Sequence, residues 1–257
     1  MADKKPLILA VNDDGITAPG IQAMVEAAQE LAEVIVVAPD SPQSGMGHAI
    51  TLGKPLRLSK VEYHGESLGY QCSGTPVDCV KIAMDKILPR KPDLVISGIN
   101  HGANHSINVI YSGTMSAAME GAIEGIPSVG FSLLNYSMDA DFSASKHFVK
   151  IIIKNMLHFG MPTGTLLNVN IPDLPLEQIK GVKICRQANA KWEEEFDERV
   201  DPHNRKYFWL TGAFANYDKG SDTDVWALEN GYVSAVPVQF DLTAHHTMKR
   251  LNDWDLD

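Results

Sequence analysis

The feature that most constrains the fold is a repeated alternation of short apolar runs and amphipathic helical patterns. Leu7–Val11 reads LILAV, a continuous apolar run typical of a strand buried on both faces of a parallel sheet. After it, apolar side chains recur three or four residues apart, as on one face of a helix, and Val34–Ala38 is a second apolar run. Because the order strand, helix, strand recurs, we predict an α/β fold with a doubly wound, mostly parallel sheet.

Further strands and helices continue this alternation. A helix is predicted to begin at Thr75, because Thr75 and Asp78 have the spacing of a capping box and Pro76 fits the first helical position. A hairpin with polar flanks is predicted before it, over Ile50–Leu58 and Glu62–Cys72. The remaining predicted elements are strands at Leu94–Ile96, Pro127–Leu134 and Leu166–Ile171, and helices over Thr114–Glu124 and about Phe142–Leu157.

The character of the sequence changes after residue 184. Lys191–Asp201 is dense in charge and Tyr207–Leu210 is aromatic, and neither has an obvious place in a closed α/β core. We therefore predict an α/β domain over residues 1–184 and, over residues 185–257, an extension with an oligomerisation arm. An exposed arm needs a covering partner, so we expect a homodimer or a tetramer built from dimers. A strand at Tyr232–Phe240 and a short terminal helix at Leu242–Leu251 complete the predicted extension.

The charge balance limits the possible partners. The 257 residues carry 22 Lys and Arg against 32 Asp and Glu, a formal net charge of −10. Binding to duplex nucleic acid depends on neutralising many phosphates, so a duplex partner is excluded. A small phosphorylated substrate remains compatible, provided that a metal ion or backbone N–H groups supply the positive potential.

Cysteines and the N-terminal segment bear on the compartment. Cys72, Cys79 and Cys185 are odd in number and lack CxxC spacing, so we predict buried thiols in a reducing environment rather than disulfides or a zinc site. The apolar run near the N-terminus is too short for a signal peptide, and no stretch has the length of a membrane span. We expect a cytoplasmic protein that does not enter a membrane.

The strongest local motif is Asn12–Gly15 (NDDG), which follows the first predicted strand directly. Ligands of doubly wound sheets bind outside the carboxyl ends of the strands, where this motif would stand. The adjacent carboxylates of Asp13 and Asp14 suit a hard cation such as Mg²⁺ or Mn²⁺. The alternative is a turn that caps the following helix, and for the motif alone this alternative is favoured.

Two further loops shift the balance towards a site. Pro39–Gly47 follows the second strand and Ser97–Asn104 follows the strand at Leu94–Ile96. Both would reach the same sheet edge as Asp13 and Asp14, and they offer the neutral oxygens of Ser44 and Asn100 to complete the shell of a hard metal. Three loops of this kind at one edge predict a site.

Other polar motifs have simpler interpretations. Tyr111–Thr114 (YSGT) precedes a helix and could cradle an anion, although a plain Ser N-cap is favoured for the motif in isolation. His101 and His105 lack an HExxH context, so we interpret them as solvent-facing or as neighbours of the site rather than zinc ligands. Glu193–Glu195 is interpreted as a solvated face, and Asp222–Asp224 as turn and cap chemistry.

These motifs together resemble a known family. The ordered segments are VNDDGITAPGI, VVAPDSPQSGMGHAITL, GTPVDCVKIA, PDLVISGINHGAN and VIYSGTMSAAMEGAIEGIPSVGFS. They closely resemble the survival protein E (SurE) family of nucleotidases, and the likeness extends through DTDVWALENGYVSAVPVQFDLT. The resemblance implies a Rossmann-like catalytic domain, an arm exchanged between subunits, and a phosphatase that acts on nucleoside 5′-monophosphates, with 3′-monophosphates left open.

The resemblance also implies a set of site residues. One divalent cation per subunit, Mg²⁺ or Mn²⁺, would be held by Asp13, Asp14, Ser44 and Asn100, with Asp13 and Asp14 as the catalytic pair. Asn104 and Ser112-Gly113-Thr114 fall where the family lines its phosphate pocket. Ala235–Pro237 and Asp201–Asn204 depart from the family pattern, but they lie outside these loops.

Two alternatives to a nucleotidase stay open at this point. One is a hydrolase with the same metal that acts on short polyphosphate, a sugar phosphate or another phosphate monoester. The other is a nucleotide-binding module that uses the fold without catalysis. The substrate is what the sequence specifies least.

Overall fold

The computed structural model of the protein describes residues 5–63 and 68–256. In this part of the chain the strands are β1 (Leu7–Val11), β2 (Glu33–Pro39), β3 (Leu58–Glu62), β4 (Leu68–Cys72), β5 (Leu94–His101), β6 (Ser128–Leu133), β7 (Thr165–Ile171), β8 (Val182–Ile184), β9 (Ala190–Val200), β10 (Lys206–Asn216) and β11 (Val233–Gln239).

Helices connect most of these strands. The α-helices are α1 (Pro19–Gln29), α2 (Pro76–Ile82), α3 (Gly113–Ile123), α4 (Ser143–Phe159), α5 (Asp224–Glu229) and α6 (His245–Leu251). A π-helical turn, Ala83–Ile87, continues α2, and 3-10 turns lie at Ser106–Ile110 and Leu176–Gln178. The α2 N-terminus carries the predicted capping box, in which Thr75 and Asp78 bond to each other's backbone N–H groups.

Nine of the strands form the main sheet, in the order β3-β4-β2-β1-β5-β6-β7-β11-β8. β1 lies between β2 and β5 and is parallel to both. Only the β3–β4 and β7–β11 pairs in this sheet are antiparallel. The predicted doubly wound, mostly parallel α/β sheet is therefore confirmed.

The core lies on both faces of this sheet, as the apolar run of β1 requires. Ile8 and Ala10 face the layer that holds α1 and α4, whereas Leu7 and Leu9 face the layer that holds α2 and α3. Alternate residues of a strand point to opposite faces, so a strand between two helical layers must be apolar at every position. All five residues of β1 are buried.

The predicted hairpin is present, but the predicted first strand is wrong in position. β3 begins at Leu58, and Ile50–Leu58 is largely loop. The loop backbone bonds to the α2 cap instead of a strand: the Thr51 N–H donates to Asp78 Oδ1 at 3.1 Å, and Thr75 Oγ1 donates to the Ala49 carbonyl at 2.7 Å. The predicted second strand, Glu62–Cys72, includes residues 64–67, which lie outside the described residues.

β9 and β10 form a separate two-stranded antiparallel sheet, which we call the arm. After the arm the chain returns to the main sheet, where β11 pairs with β7 on one side and β8 on the other. Strands on both sides of residue 184 thus share one sheet. The division of the chain at that residue stays a prediction.

No helix within residues 5–63 and 68–256 is long and apolar enough to cross a membrane.

Candidate active site

A cavity of about 810 Å³ opens at the carboxyl ends of β1 and β5. The strand order reverses between these two strands, since β2 lies beyond β1 and β6 beyond β5, and such a crevice is where doubly wound folds bind ligands. The cavity is lined by Asp13, Ser44, Gly45, Asn100, His101, Gly102, Ala103, Asn104, Asn108, Tyr111, Ser112, Tyr136, Trp192, Glu194, Leu210, Thr211 and Gly212.

Asp13 lies at the floor of the cavity with only 4% of its surface exposed. Burial raises the pKa of its carboxyl group to about 6, and the neighbouring Asp14 carboxylate adds to the rise. Thr114 Oγ1 donates a hydrogen bond to Asp13 Oδ1, which favours the ionised form and limits the rise. The Asp13 carbonyl accepts from Gln43 N at 2.7 Å, so the loop that carries Ser44 is fastened to the motif.

Asp14 and Asn100 meet beside Asp13. Asp14 Oδ2 accepts a hydrogen bond from His101 N at 3.3 Å, and burial raises the pKa of Asp14. Asn100 Nδ2 donates to the Gly102 carbonyl at 2.7 Å. Since the amide nitrogen faces the backbone, Oδ1 is the atom that Asn100 has to offer a ligand.

An irregularity in β5 delivers Asn100 to this place. The register of β5 on β6 shifts between Ser97 and Asn100, as at a β-bulge. Gly98 lies within the shift at φ +118°, and a Cβ there would stand 2.3 Å from the Phe131 carbonyl oxygen. Only glycine fits this close approach, which explains the SGIN sequence of the predicted loop.

The N-terminus of α3 forms the opposite wall. Ser112 is its N-cap and accepts from Met115 N at 3.0 Å, so the simpler interpretation of the YSGT motif holds for this side chain. Gly113 stands against Asp13, because a Cβ at residue 113 would lie 2.7 Å from Asp13 Cβ. The positive end of the α3 dipole is therefore next to the carboxylate of Asp13, which also takes a backbone hydrogen bond from Thr114.

Ser44 and Asn104 line the cavity in different ways. Ser44 is exposed on the loop after β2. Asn104 is buried, and its side chain is used within the protein: Nδ2 donates to Ser132 Oγ at 2.9 Å. The Asn104 N–H donates to Asn170 Oδ1 at 2.8 Å, so Asn104 shapes the wall while its amide nitrogen is engaged.

The loop that carries Ser44 is held by contacts that sequence reasoning missed. His48 Nε2 lies 3.0 Å from the buried Glu120 Oε2, and Lys81 Nζ bonds to the other oxygen of that carboxylate. Gly47 N donates to the Tyr111 carbonyl at 3.2 Å. Glu120 lies on α3, so one helix fixes both the loop and the wall beside Asp13; no local sequence signal marks Glu120 for this role.

The two histidines of the loop are neighbours of the site. His101 Nδ1 lies 2.9 Å from the Ser137 carbonyl oxygen, and the His105 ring packs edge-on against Phe214 of the arm, with centroids 4.9 Å apart. Burial lowers the pKa of His105. Among the residues that the structure describes, no group of three or more His, Cys, Asp or Glu side chains is arranged to hold a metal.

The predicted ligand set differs from such a group because it has two carboxylates and two neutral oxygens. Asp13, Ser44 and Asn100 line one cavity, and Asp14 contacts the backbone next to Asn100. All the donors are oxygens, the ligand type that Mg²⁺ and Mn²⁺ favour. A cation would also offset the cost of burying two ionised carboxylates side by side, so the residues present fit a hard divalent cation.

The arm contributes lining residues that the sequence does not predict. Trp192, Glu194 and Leu210 border the cavity although they lie more than 75 residues beyond the Ser112 wall in the chain. Glu194 is exposed, as the interpretation of a solvated face expects, but it also faces the site. Tyr136, from the segment after β6, is another lining residue that no local motif indicates.

The fold and the cavity place the chain among the doubly wound α/β proteins that hold a ligand at the carboxyl ends of their parallel strands. The chain belongs to the SurE family, whose model, described as Survival protein SurE, matches residues 8–194. The sequence resemblance is thereby confirmed.

Individual relatives match over essentially the full length. The 5′-nucleotidase SurE of Christiangramia forsetii is 64% identical to this chain, and the alignment covers 100% of both. That of Flavobacterium psychrophilum is 59% identical over 98% of this chain and 99% of its own. The crystal structure of the SurE protein from Aquifex aeolicus superposes with a TM-score of 0.84 at 42% identity, covering 96% of this chain and 98% of that one.

Proposed function

We propose that the protein is a 5′-nucleotidase that hydrolyses nucleoside 5′-monophosphates to nucleoside and phosphate with the help of one divalent cation, Mg²⁺ or Mn²⁺. The observation that carries this proposal is the apposition of Asp13 and the N-terminus of α3 at one cavity, with Asp14 beside Asp13 and bonded to the backbone next to Asn100. The relatives named 5′-nucleotidase SurE, up to 64% identical over the full length, supply the substrate class.

The residues brought together at this cavity each have a role in the proposed hydrolysis. Asp13, Asp14, Ser44 and Asn100 would hold the cation through oxygen atoms. A bound divalent cation neutralises phosphate oxygens and lowers the pKa of a water molecule. Thr114 orients Asp13 by donating to Oδ1. The N-terminus of α3 binds the phosphate and stabilises the charge that develops on its oxygens in the transition state.

Phosphate release tests the proposal and separates it from its alternatives. Adenosine and guanosine monophosphates, short polyphosphate and a sugar phosphate would each be supplied with Mn²⁺ or Mg²⁺, and again with excess chelator. We expect the nucleoside 5′-monophosphates to have the highest kcat/KM and chelation to abolish turnover. Faster hydrolysis of polyphosphate or sugar phosphate would shift the substrate class. Nucleotide binding without phosphate release would indicate a binding module, and turnover that survives chelation would contradict the metal proposal.

We also propose that the arm mediates a homodimer or a tetramer of dimers. Support comes from the large side chains that it exposes, among them Phe196 and Phe208. Exposed apolar surface of this kind is typical of an interface. Light scattering at micromolar concentration tests the assembly, and a stable, active monomer would contradict it. A cytoplasmic location stays a prediction.

A further inference from the structure

The arm presents one definite face to the cavity. Directly paired residues of antiparallel strands carry their side chains on the same face, and the face alternates along each strand. The register pairs Trp192 with Phe214, Glu194 with Gly212 and Phe196 with Leu210. We call these six residues the inner face of the arm.

Four inner-face residues line the cavity: Trp192, Glu194, Leu210 and Gly212. From the opposite face, among the described residues, only Thr211 borders it. Trp209 lies on that opposite face and is 58% exposed, whereas Trp192 is 43% exposed. The arm therefore carries two partly exposed tryptophans of which one faces the candidate site.

The buried carboxylate of Asp224 fixes the root of the arm to the cavity wall. Asp224 Oδ1 accepts from Ala188 N at 2.9 Å, just before β9, and Oδ2 accepts from Ser106 N at 2.7 Å. Ser106 in turn donates from Oγ to the carbonyl of Ala190, the first residue of β9, at 2.6 Å. Ser106 lies between the lining residues Asn104 and Asn108, so this cluster joins the arm to the segment that forms the wall.

Ring contacts extend this attachment to Trp192. The ring of His105, next to Ser106, packs edge-on against Phe214, with centroids 4.9 Å apart. Phe214 packs edge-on against Trp192, with centroids 5.9 Å apart. The position of Trp192 relative to the cavity wall is thus set by packed side chains as well as by the Asp224 cluster.

The cavity is larger than a phosphate group needs. Its volume of about 810 Å³ lies in the range of about 300–1,000 Å³ in which proteins enclose a whole small molecule. Asp13 and Ser112 mark the end where a phosphate would lie, while Trp192 and Leu210 contribute aromatic and aliphatic surface from the arm. An aromatic side chain of this kind stacks on a nucleobase with little dependence on which base it is.

We propose that the inner face of the arm forms a wall of the site that recognises the nucleoside part of the substrate. Trp192 contacts the nucleobase, and Glu194 accepts a hydrogen bond from a hydroxyl or amino group of the nucleoside. Asp224 is the positioning residue that holds this wall in place. The inference rests on the proposed nucleotidase function and names what that site recognises beyond the phosphate.

Trp192→Ala tests the wall, with Trp209→Ala as the matched control from the opposite face. Each variant is assayed on adenosine 5′-monophosphate and on ribose 5-phosphate, which has the same phosphate ester without a base. We expect Trp192→Ala to lower kcat/KM for the nucleotide by about 5- to 100-fold, the range for removal of a stacking aromatic, mainly through KM. Ribose 5-phosphate turnover should stay within about twofold of wild type in both variants.

Asp224→Asn tests the positioning role, with Asp222→Asn as its control. Asp222 is exposed and its side chain bonds to Arg186 Nε at 2.9 Å, outside the cluster. We expect Asp224→Asn to raise KM for the nucleotide while kcat for ribose 5-phosphate and Mn²⁺ affinity stay near wild type. A general loss of structure would instead lower kcat for ribose 5-phosphate and the Mn²⁺ affinity as well. Ser106→Ala, which removes only the Oγ hydrogen bonds to the carbonyls of Ala188 and Ala190, supplies a milder second variant if Asp224→Asn does not fold.

Failure of the inference is distinguishable from failure of the proposed function. If the two tryptophan variants lower kcat/KM for the nucleotide equally, or if Trp192→Ala lowers kcat/KM equally for both substrates, the role of the arm is overturned. The nucleotidase activity of the wild type would still stand. If wild type releases no phosphate from either compound, the proposed function fails, and equilibrium dialysis of adenosine monophosphate against the same variants still tests the wall. Wild-type affinity in Trp192→Ala would then overturn it. Light scattering on each variant excludes a change of assembly.

Discussion

Gly113→Ala is the substitution for which the structure makes the sharpest functional prediction. A Cβ at residue 113 would stand 2.7 Å from Asp13 Cβ and 2.9 Å from Asp13 Oδ2. Carbon atoms in ordinary contact are about 3.5–4.0 Å apart, so the carboxylate or the helix must move by about 1 Å. Neither can retreat freely, because Asp13 is buried and Thr114 is bonded to it.

The expected cost falls on activity rather than on stability. Overpacking costs about 1–3 kcal/mol of unfolding free energy, which is less than the about 5–15 kcal/mol typical of a native domain. A displacement of about 1 Å at a reacting group lowers turnover by about 100-fold. Gly113→Ala should therefore stay folded and lose most of its phosphatase activity.

The assay combines urea denaturation with phosphate release at saturating Mn²⁺ and nucleotide. Gly53→Ala is the matched control, because Gly53 is exposed and a Cβ there would meet nothing within 4 Å. It should leave both measurements near wild type. Turnover of Gly113→Ala within about twofold of wild type would refute the reasoning, since the close approach to Asp13 would then have no role in the chemistry.

Three further predictions follow from other contacts. In Asp14→Asn, metal-free stability should be no lower than in wild type, because the substitution removes a half-buried charge beside the buried Asp13. The stabilisation of about 2.7 kcal/mol expected at a Mn²⁺ concentration of 100 Kd should vanish with the activity, and a full Mn²⁺-induced rise in Tm would contradict this. Burial opposes ionisation of Asp78, but hydrogen bonds from Thr51 and Thr75 outweigh it and lower the pKa of Asp78 below 3.8. Wild type should therefore be more stable than Asp78→Asn above pH 5, and the difference should shrink as the pH falls below 4. Paired thermal melts test this, and a difference that does not change with pH would refute the assignment. His48→Ala should free the Ser44 loop from Glu120 and raise the Mn²⁺ concentration needed for half-maximal activity. The control His147→Ala, on α4, should not change this concentration, and the same Mn²⁺ requirement in both variants would refute a positioning role for His48.

The local sequence pattern was enough to predict the α/β framework and the position of the acidic NDDG motif. The uniform burial of β1 follows from its apolar run, and the NDDG motif directly after it had to lie at the carboxyl edge of the sheet. The failures have physical causes as well. Ile50–Leu58 resembles a strand, but its Thr51 N–H donates to Asp78 in the cap of α2 rather than to a neighbouring strand.

Sequence by itself therefore determined the layered α/β class, the edge at which the carboxylates stand and the family, because periodicity, capping and motif order are local properties of the chain. Tertiary structure alone decided that Glu120 anchors the Ser44 loop, that β11 returns between β7 and β8, and that Trp192 and Glu194 border the same cavity as Asp13. Each of these depends on contacts between residues far apart in the chain. The alternation of side chains along a strand assigns Trp192 and Glu194 to a common face, but only the packing of the arm root on Asp224 and Ser106 aims that face at the cavity.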